Sequence, residues 1–218
     1  MTAGGTGPNF DRLAGVYRWM EWLSFGPHLG RCRRAFLLEM TESRRALVLG
    51  DGDGRFTAAL LRQNKAIQVD AVDVSQGMLR SLRHRAGADA GRVRTEARDM
   101  REWYPAQGAE YDLVVTHFFL DCLTTEDVRR LAERLKPSLR TEASWVVSEF
   151  AVPRSAFGLW VARPVVGFLY WAFRLLTGLE VARLPEWQMV LEAAGFGRIR
   201  ERRFLHGLLT SEMWTMRE

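Results

Sequence analysis

Between Ala46 and Phe56 the chain reads ALVLGDGDGRF, four apolar residues running straight into a turn that alternates glycine with aspartate. Gly50, Gly52 and Gly54 allow a backbone to turn sharply and to approach a ligand where any side chain would collide. A helix starting near Arg55 aims its free amide groups at the same place, which favours a carboxylate or phosphate there. About twenty residues later the run IQVDAVD ends in Asp73, and an acid at a strand end of that spacing accepts hydrogen bonds from ribose hydroxyls. Bonds of that charge-assisted kind are worth roughly 1.5 to 3 kcal/mol each. An architectural strand-to-helix turn needs the same glycines, but turn and acid together point to a nucleoside with an anionic end.

Three other uses of the turn are disfavoured. A dinucleotide fingerprint needs a third glycine where this chain has Arg55, and a P-loop needs a Lys-Ser or Lys-Thr pair that is absent. An EF-hand needs further ligands after Asp51 and Asp53 and a closing glutamate, so these two read as turn-forming residues and no metal is expected.

Further along, VVTHFFLDC carries His117 at the carboxyl end of a strand, where open parallel sheets place their ligands. His117 is either a base or substrate-orienting group, or a side chain that bonds the loop. Asp121 either orients His117 or a substrate, or caps the helix that begins near TTEDV. Glu149, after the fifth strand, is an acid at a strand end facing the site and needs a partner. His206, near a strand end and turn, reads as structural.

These residues have to be positioned by a fold, and the rhythm of the chain indicates which one. The runs ALVLG, IQVDAVDV, YDLVVTHFF and SWVVSEF alternate with the helical patterns GRFTAALLRQ, QGMLRSLRHR and TEDVRRLAERLK. Strand, helix, strand, helix predicts an α/β domain with a mainly parallel sheet covered on both faces. GRIRERRFLHG and LLTSEMWTM predict an antiparallel strand pair at the sheet edge. Upstream, FDRLAGVYRWMEWLSFG has helical spacing and is closed by Gly26-Pro27, and a second helix is expected over about 28 to 40.

With 218 residues, 47% hydrophobic and 26% charged, the chain suits one well-buried domain. Its net charge of +5 rests almost wholly on arginine, since Lys65 and Lys136 are the only lysines, and acids are interleaved throughout. That mixture reads as a solvated surface rather than a nucleic-acid footprint. Cys32 and Cys122 fit no metal spacing and read as free thiols of a reducing compartment. The opening MTAGGTGPNF has no charged region followed by an apolar run, so a cytoplasmic location is expected. Residues 156 to 179 are long and apolar enough for a membrane span, but Arg163, Pro164 and Arg174 make one costly.

In order, ALVLGDGDG, VDVSQGML, EARDM, YDLVVTHFFLDCL, LAERLKPS, WVVSEF and LEAAGF resemble the class I S-adenosylmethionine-dependent methyltransferases over about residues 44 to 200. The resemblance implies a Rossmann-like, seven-stranded, mainly parallel sheet with an antiparallel C-terminal strand pair, helices on both faces and an N-terminal helical cover. It implies S-adenosyl-L-methionine as cofactor and S-adenosyl-L-homocysteine as product. Gly50, Gly52 and Gly54 then lie under the methionine part, with Asp51 or Asp53 available to replace an acid the family commonly has two residues before the first glycine, where this chain has Val48. Asp73, with Val74 beside it, is the ribose ligand and Met78 an adenine wall. Asp99, with Met100, receives the adenine amino group, and Thr116 and His117 face the sulfonium and methyl group.

The N-terminal stretch is similar to the first helix of the ubiquinone and menaquinone C-methyltransferases and their small-molecule relatives. In that reading Tyr17 closes over the methionine end; in the other it is plain core. The expected organisation is one domain over 1-218: a helical cover over 1-42, a cofactor-binding core over 43-152, an apolar substrate-covering insertion over 153-184, and a final helix and strand pair over 185-218. Trp160, Phe168, Tyr170, Trp171 and Phe173 of the insertion line an acceptor pocket, or belong to helices that cap the sheet or meet a second copy in a homodimer. Arg163 and Arg174 also admit weak contact with a membrane surface. The acceptor expected is a small, largely apolar or aromatic molecule such as a quinol, phenol, amine or lipid headgroup. The competing function is a binding module that has lost catalysis. An RNA substrate is disfavoured by the absence of an added RNA-binding domain and of an Asn-Pro-Pro-Tyr-like or cysteine-based motif.

Overall fold

The computed structural model describes residues 27–153, 158–167 and 184–217. The expected first helix, Tyr17 within it, and Phe168, Tyr170, Trp171, Phe173 and Arg174 of the apolar segment lie outside the described residues.

Seven strands form one sheet: β1 Arg45–Leu49, β2 Gln68–Asp73, β3 Val93–Ala97, β4 Tyr111–His117, β5 Leu139–Phe150, β6 Phe196–Phe204 and β7 Leu209–Met216. Their order across the sheet is β3-β2-β1-β4-β5-β7-β6. The first five run parallel, and β7 lies antiparallel between β5 and β6. The expected α/β class and the C-terminal antiparallel pair are thus both present. β1 and β4 are almost wholly buried because helices cover both faces, which is why their sequences read as unbroken apolar runs rather than as alternations.

Among the described residues, the helices α1 Pro27–Arg33, α2 Arg55–Gln63, α3 Gln76–Ala86, α4 Thr125–Leu135 and α5 Trp187–Ala193 pack around it. On one face Val48, Leu113, Val115 and Val146 meet Phe56, Leu60 and Leu61 of α2. On the other, Leu49, Val114, Trp145 and Val147 meet Val128 and Leu131 of α4 and Trp187 and Leu191 of α5. A third cluster joins Leu29 and Cys32 of α1 to Phe118, Leu208 and Leu209, and to Ala162 and Val166 of a π-helical turn that continues into helical residues 163–167. Among the described residues no helix is long and apolar enough to cross a membrane.

One local expectation changes. The helix expected over 28 to 40 is split: α1 stops at Arg33 and a separate 3-10 turn covers Leu37–Met40. Phe36 and Met40 both enter the core beside α2. The short turn joining β6 to β7 is built from Leu205, His206 and Gly207, all with positive φ. β3, sequence VRTEA, is an edge strand whose charged residues hide it from a search for apolar runs.

α2 and α3 meet at Gly54, whose φ of +79° is left-handed and whose added Cβ would lie 2.6 Å from the Leu82 backbone. Gly54→Ala is therefore expected to lower stability by roughly 2 to 4 kcal/mol from backbone strain and overpacking together. Gly91→Ala, at a site with nothing within 4 Å and no positive φ, is expected to be near neutral. Urea unfolding of the two variants beside the wild type checks both.

Candidate active site

β1 delivers the chain to Gly50, whose amide donates to the Val72 carbonyl of β2 at 3.0 Å, so the turn starts at the carboxyl edge of the sheet. Gly50, Gly52 and Gly54 are all left-handed, with φ of +68°, +61° and +79°. Their surroundings differ. A Cβ on Gly50 would stand 2.3 Å from the Phe119 ring, whereas one on Gly52 would meet only the Met78 sulfur at 4.0 Å. Gly50 thus seats the loop after β4, Gly54 seats α3, and Gly52 leaves open space beside Met78.

The two aspartates of the turn face inward. Asp51 accepts the Thr57 amide at 2.8 Å and the Thr57 hydroxyl at 2.7 Å, supplying the cap that Gly54, at the N-cap of α2, has no side chain to make. Asp53 pairs with Arg55 at 3.1 Å and Arg85 at 2.9 Å. That oxygen of Asp51 and the Asp53 ion pairs are therefore committed to α2 and α3. Val48 is buried in the core against α2.

Asp73 ends β2 beside this turn. Its carboxyl accepts the Ser75 amide at 2.9 Å and is also approached by the Gly52 amide. Burial outweighs these bonds and pushes it up to about 6. Ser75 in turn accepts from the Met78 amide and caps α3. Next to Asp73 opens a crevice of about 400 Å³, lined by Val74, Ala97, Asp99, Trp103 and Tyr104 among others. Val74 is half exposed to it. Asp99 accepts the Arg101 amide at 2.9 Å and keeps a half-exposed carboxylate. Met100, expected beside the adenine, instead packs inside the core with Leu49, Val72 and Trp103.

The crevice wall is held by a residue that the sequence patterns do not single out. Arg134 of α4 donates to the carbonyls of Met100, Arg101 and Trp103 at 2.7, 2.9 and 2.8 Å, and its guanidinium lies over the Tyr104 ring. On the sequence it is one arginine among many on an amphipathic helix. Tyr104 and Trp103 were legible only as aromatics following ARDM.

The end of β4 differs most from expectation. Thr116 is fully buried, and its hydroxyl accepts from the Trp145 indole at 3.1 Å, so it faces the core beneath the crevice. His117 packs edge-on against Phe56 with ring centroids 4.4 Å apart, and both its ring nitrogens are buried without a hydrogen-bond partner. Burial, with Arg33 nearby, holds it well below the usual histidine range. It is a neutral, enclosed ring, which is neither of the arrangements anticipated. α4 is capped by a Thr124–Asp127 capping box, so Asp121 does not cap it. Asp121 sits in the 3-10 turn Leu120–Cys122, accepts from the Cys122 thiol at 3.4 Å, and is raised to about 6 by burial.

Glu149 is fully buried and holds this same loop, accepting the amides of Phe119 at 3.0 Å and Leu120 at 2.7 Å. Phe118 carries a φ of +53°, donates its amide to Ser148, and has the Arg33 guanidinium 5.2 Å above its ring. Arg33 thus brings a cation to the strand ends, a role that a short basic run in RCRR does not reveal. The structure therefore gathers Gly50, Gly52, Asp73, Val74, Met78, Asp99 and Asp121 at one edge of the sheet. It leaves Thr116, His117 and Met100 enclosed. Among the described residues there is no group of acids, histidines and cysteines arranged to hold a metal.

Comparison with known proteins gives this geometry a context. Residues 46–142 match the family model described as a methyltransferase domain. The malonyl-[acyl-carrier protein] O-methyltransferase of Paenibacillus sp. (strain JDR-2) is 28% identical over 155 residues, covering 70% of this chain and 55% of that protein. Among solved structures, an O-methyltransferase family protein from Burkholderia thailandensis aligns with a TM-score of 0.68 and 15% identity, over 95% of this chain and 58% of that one. Human N-acetylserotonin methyltransferase, in complex with S-adenosylmethionine, aligns with a TM-score of 0.67 and 13% identity, over 95% of this chain and 57% of that one. The chain thus spans little more than half the length of the relatives it matches. On these grounds the segment 46–142 is similar to a methyltransferase domain, and the sheet built around it has the Rossmann-like fold of the solved methyltransferases it aligns with.

Proposed function

We propose that the protein transfers a methyl group from S-adenosylmethionine to an oxygen of a small, largely apolar or aromatic acceptor. The observation that carries this reading is the juxtaposition of Asp73 with the open side of Gly52 and with the crevice lined by Val74, Asp99 and Tyr104. The residues fit the cofactor: a carboxylate for ribose hydroxyls, a backbone left bare by glycine, and a slot flanked by an aromatic ring and an acid.

Bound S-adenosylmethionine supplies a methyl group made electrophilic by its sulfonium. Asp73 would accept the ribose hydroxyls, and Met78 and Val74 would flank the adenosine. Asp99 would accept the adenine amino group. Gly50 and Gly52 would let the methionine part lie against the backbone, with Phe119 fixed opposite. The protein's remaining task is to hold the acceptor in line behind the methyl group, and such alignment is worth up to roughly 7 to 11 kcal/mol in ideal cases. His117, enclosed on Phe56, is not placed to take a proton. That favours an acceptor oxygen that arrives ionised, such as a carboxylate or phenolate, for which no base is required. The names of the relatives, an O-methyltransferase acting on malonyl-[acyl-carrier protein] and an O-methyltransferase family protein, support oxygen as the accepting atom.

Calorimetric titration with S-adenosylmethionine tests the reading. Micromolar binding is expected in the wild type, and Asp73→Ala should weaken it by roughly 100-fold or more through loss of two charge-assisted hydrogen bonds. Absence of binding by the wild type would return the glycine turn to architecture. The same titration has a pH signature. Asp73 stands at about 6 in the empty site, and ribose hydroxyls bond best to its ionised form, so the complex binds fewer protons than the free protein. Affinity is then full above that value and falls as pH drops through it, by at most about tenfold per pH unit. The part of the loss that Asp73 causes should be equal for S-adenosylmethionine and S-adenosylhomocysteine, which share the ribose, and that shared part should vanish in Asp73→Asn.

A further inference from the structure

Glu149 has more charge than its visible role requires. One oxygen, Oε1, accepts the amides of Phe119 and Leu120, and the carboxyl is also approached by the Asp121 amide. The other, Oε2, is buried and has no hydrogen-bond partner, and no arginine, lysine or histidine among the described residues forms an ion pair with this carboxylate. An amide oxygen would hold the loop equally well, whereas a buried, unpaired carboxylate is expensive to keep. The loop it holds places the Phe119 ring on Gly50, so the carboxylate lies directly behind the wall that faces the glycine turn. A feature of this kind has a reason to persist if a buried cation is its partner during function.

We infer that the Glu149 carboxylate is what lets the site distinguish a sulfonium from the thioether left after methyl transfer, an inference that rests on the function proposed above. When the sulfur–methyl bond breaks, its electron pair stays on sulfur and the sulfur loses its positive charge. Everything else in the cofactor, including its amino, carboxylate and ribose groups, is unchanged. A carboxyl behind the wall that faces the glycine turn, which gives up its proton to solvent when the sulfonium is bound, therefore holds the cofactor and releases the product, acting through space and not by contact.

The ionisable groups around Glu149 are Asp121 and Cys122 of the loop, Cys32 of α1, and Glu212 of β7, two residues beyond its strand partner Thr210. All are acids or thiols, and Arg33 of α1 acts on Cys32 and His117. Burial beside Asp121 pushes the free Glu149 carboxyl well up. A sulfonium favours its ionised form, so the cofactor complex binds fewer protons and cofactor affinity rises with pH, while product affinity does not. This dependence is separable from that of Asp73, which acts alike on both ligands.

The experiment is calorimetry of the wild type and Glu149→Gln with S-adenosylmethionine and S-adenosylhomocysteine, at about pH 6.5 and about pH 8.5, in buffers of different ionisation enthalpy. In the wild type the preference for the sulfonium should grow roughly tenfold between the two conditions, with more protons released by cofactor than by product. Glu149→Gln keeps an oxygen for the two amides, and should weaken cofactor binding roughly tenfold while leaving product binding within about twofold and the preference independent of pH. A wild-type preference that does not change with pH, or one that is identical in Glu149→Gln, overturns the inference while leaving the cofactor site intact. Failure of the wild type to bind either ligand overturns both readings. A thermal melt of the variant establishes its folding, and if it does not fold, the wild-type pH series decides alone.

Discussion

Between Leu49 and Arg55 the chain passes from strand to helix through three left-handed glycines, with the Phe119 ring against the first and the Leu82 backbone against the third. A side chain at either of those positions would push apart elements far away in sequence: the loop after β4, or the α2–α3 packing. The same contacts fix the middle of the turn, where Gly52 borders open space. So one short turn decides three things at once, namely where β1 stops, how closely two helices pack, and where a ligand can approach backbone. Asp51 belongs to this constraint, since its bonds to Thr57 start α2 without any cap from Gly54. The neighbouring loop is tied down in the same economical way, by Glu149 from β5 and by the Phe118 amide on Ser148.

What could be read in the sequence was what depends on backbone and periodicity. The glycine spacing, Asp73 twenty residues beyond it, and the alternation of apolar runs with amphipathic patterns each have one dominant structural solution, and the strand order follows from short right-handed connections. What could not be read was which way a side chain turns within an element. Thr116 and His117 are adjacent at the end of β4 and must point to opposite faces. One meets Trp145 beneath one face and the other meets Phe56 beneath the other, so neither lines the crevice. Asp51 looks available in the sequence because its partner Thr57 is six residues on, across a helix start. Arg134 was hidden for another reason: the three carbonyls it gathers are more than thirty residues away.

The net charge of the chain is a poor guide to its site. The +5 balance resides in surface arginines, many of them paired, such as Arg129 with Glu126 and Arg202 with Glu39. Exposed pairs of this kind contribute little to stability and cancel locally. At the carboxyl ends of the strands the balance reverses: Asp51, Asp73, Asp121 and Glu149 are raised chiefly by burial. The crevice beside them is lined by Glu96, Asp99 and Glu102 with Arg98 as its one basic residue, so the net charge of the whole chain does not describe it.

That reversal also bears on how the reaction is divided between protein and cofactor. A site built to remove a proton from its acceptor would place an accessible base near the methyl group, with a pKa near the working pH. Here the histidine nearest the strand ends is sealed against Phe56 and kept neutral, while Asp73 and Glu149 accept backbone amides. In the proposed reaction the protein's contribution is then alignment and electrostatic selection of ligands. A sulfonium is already activated, so under that proposal the fold need only keep the acceptor oxygen in line and let the spent cofactor leave, and a rigid glycine turn facing a pinned loop is adequate to the first task.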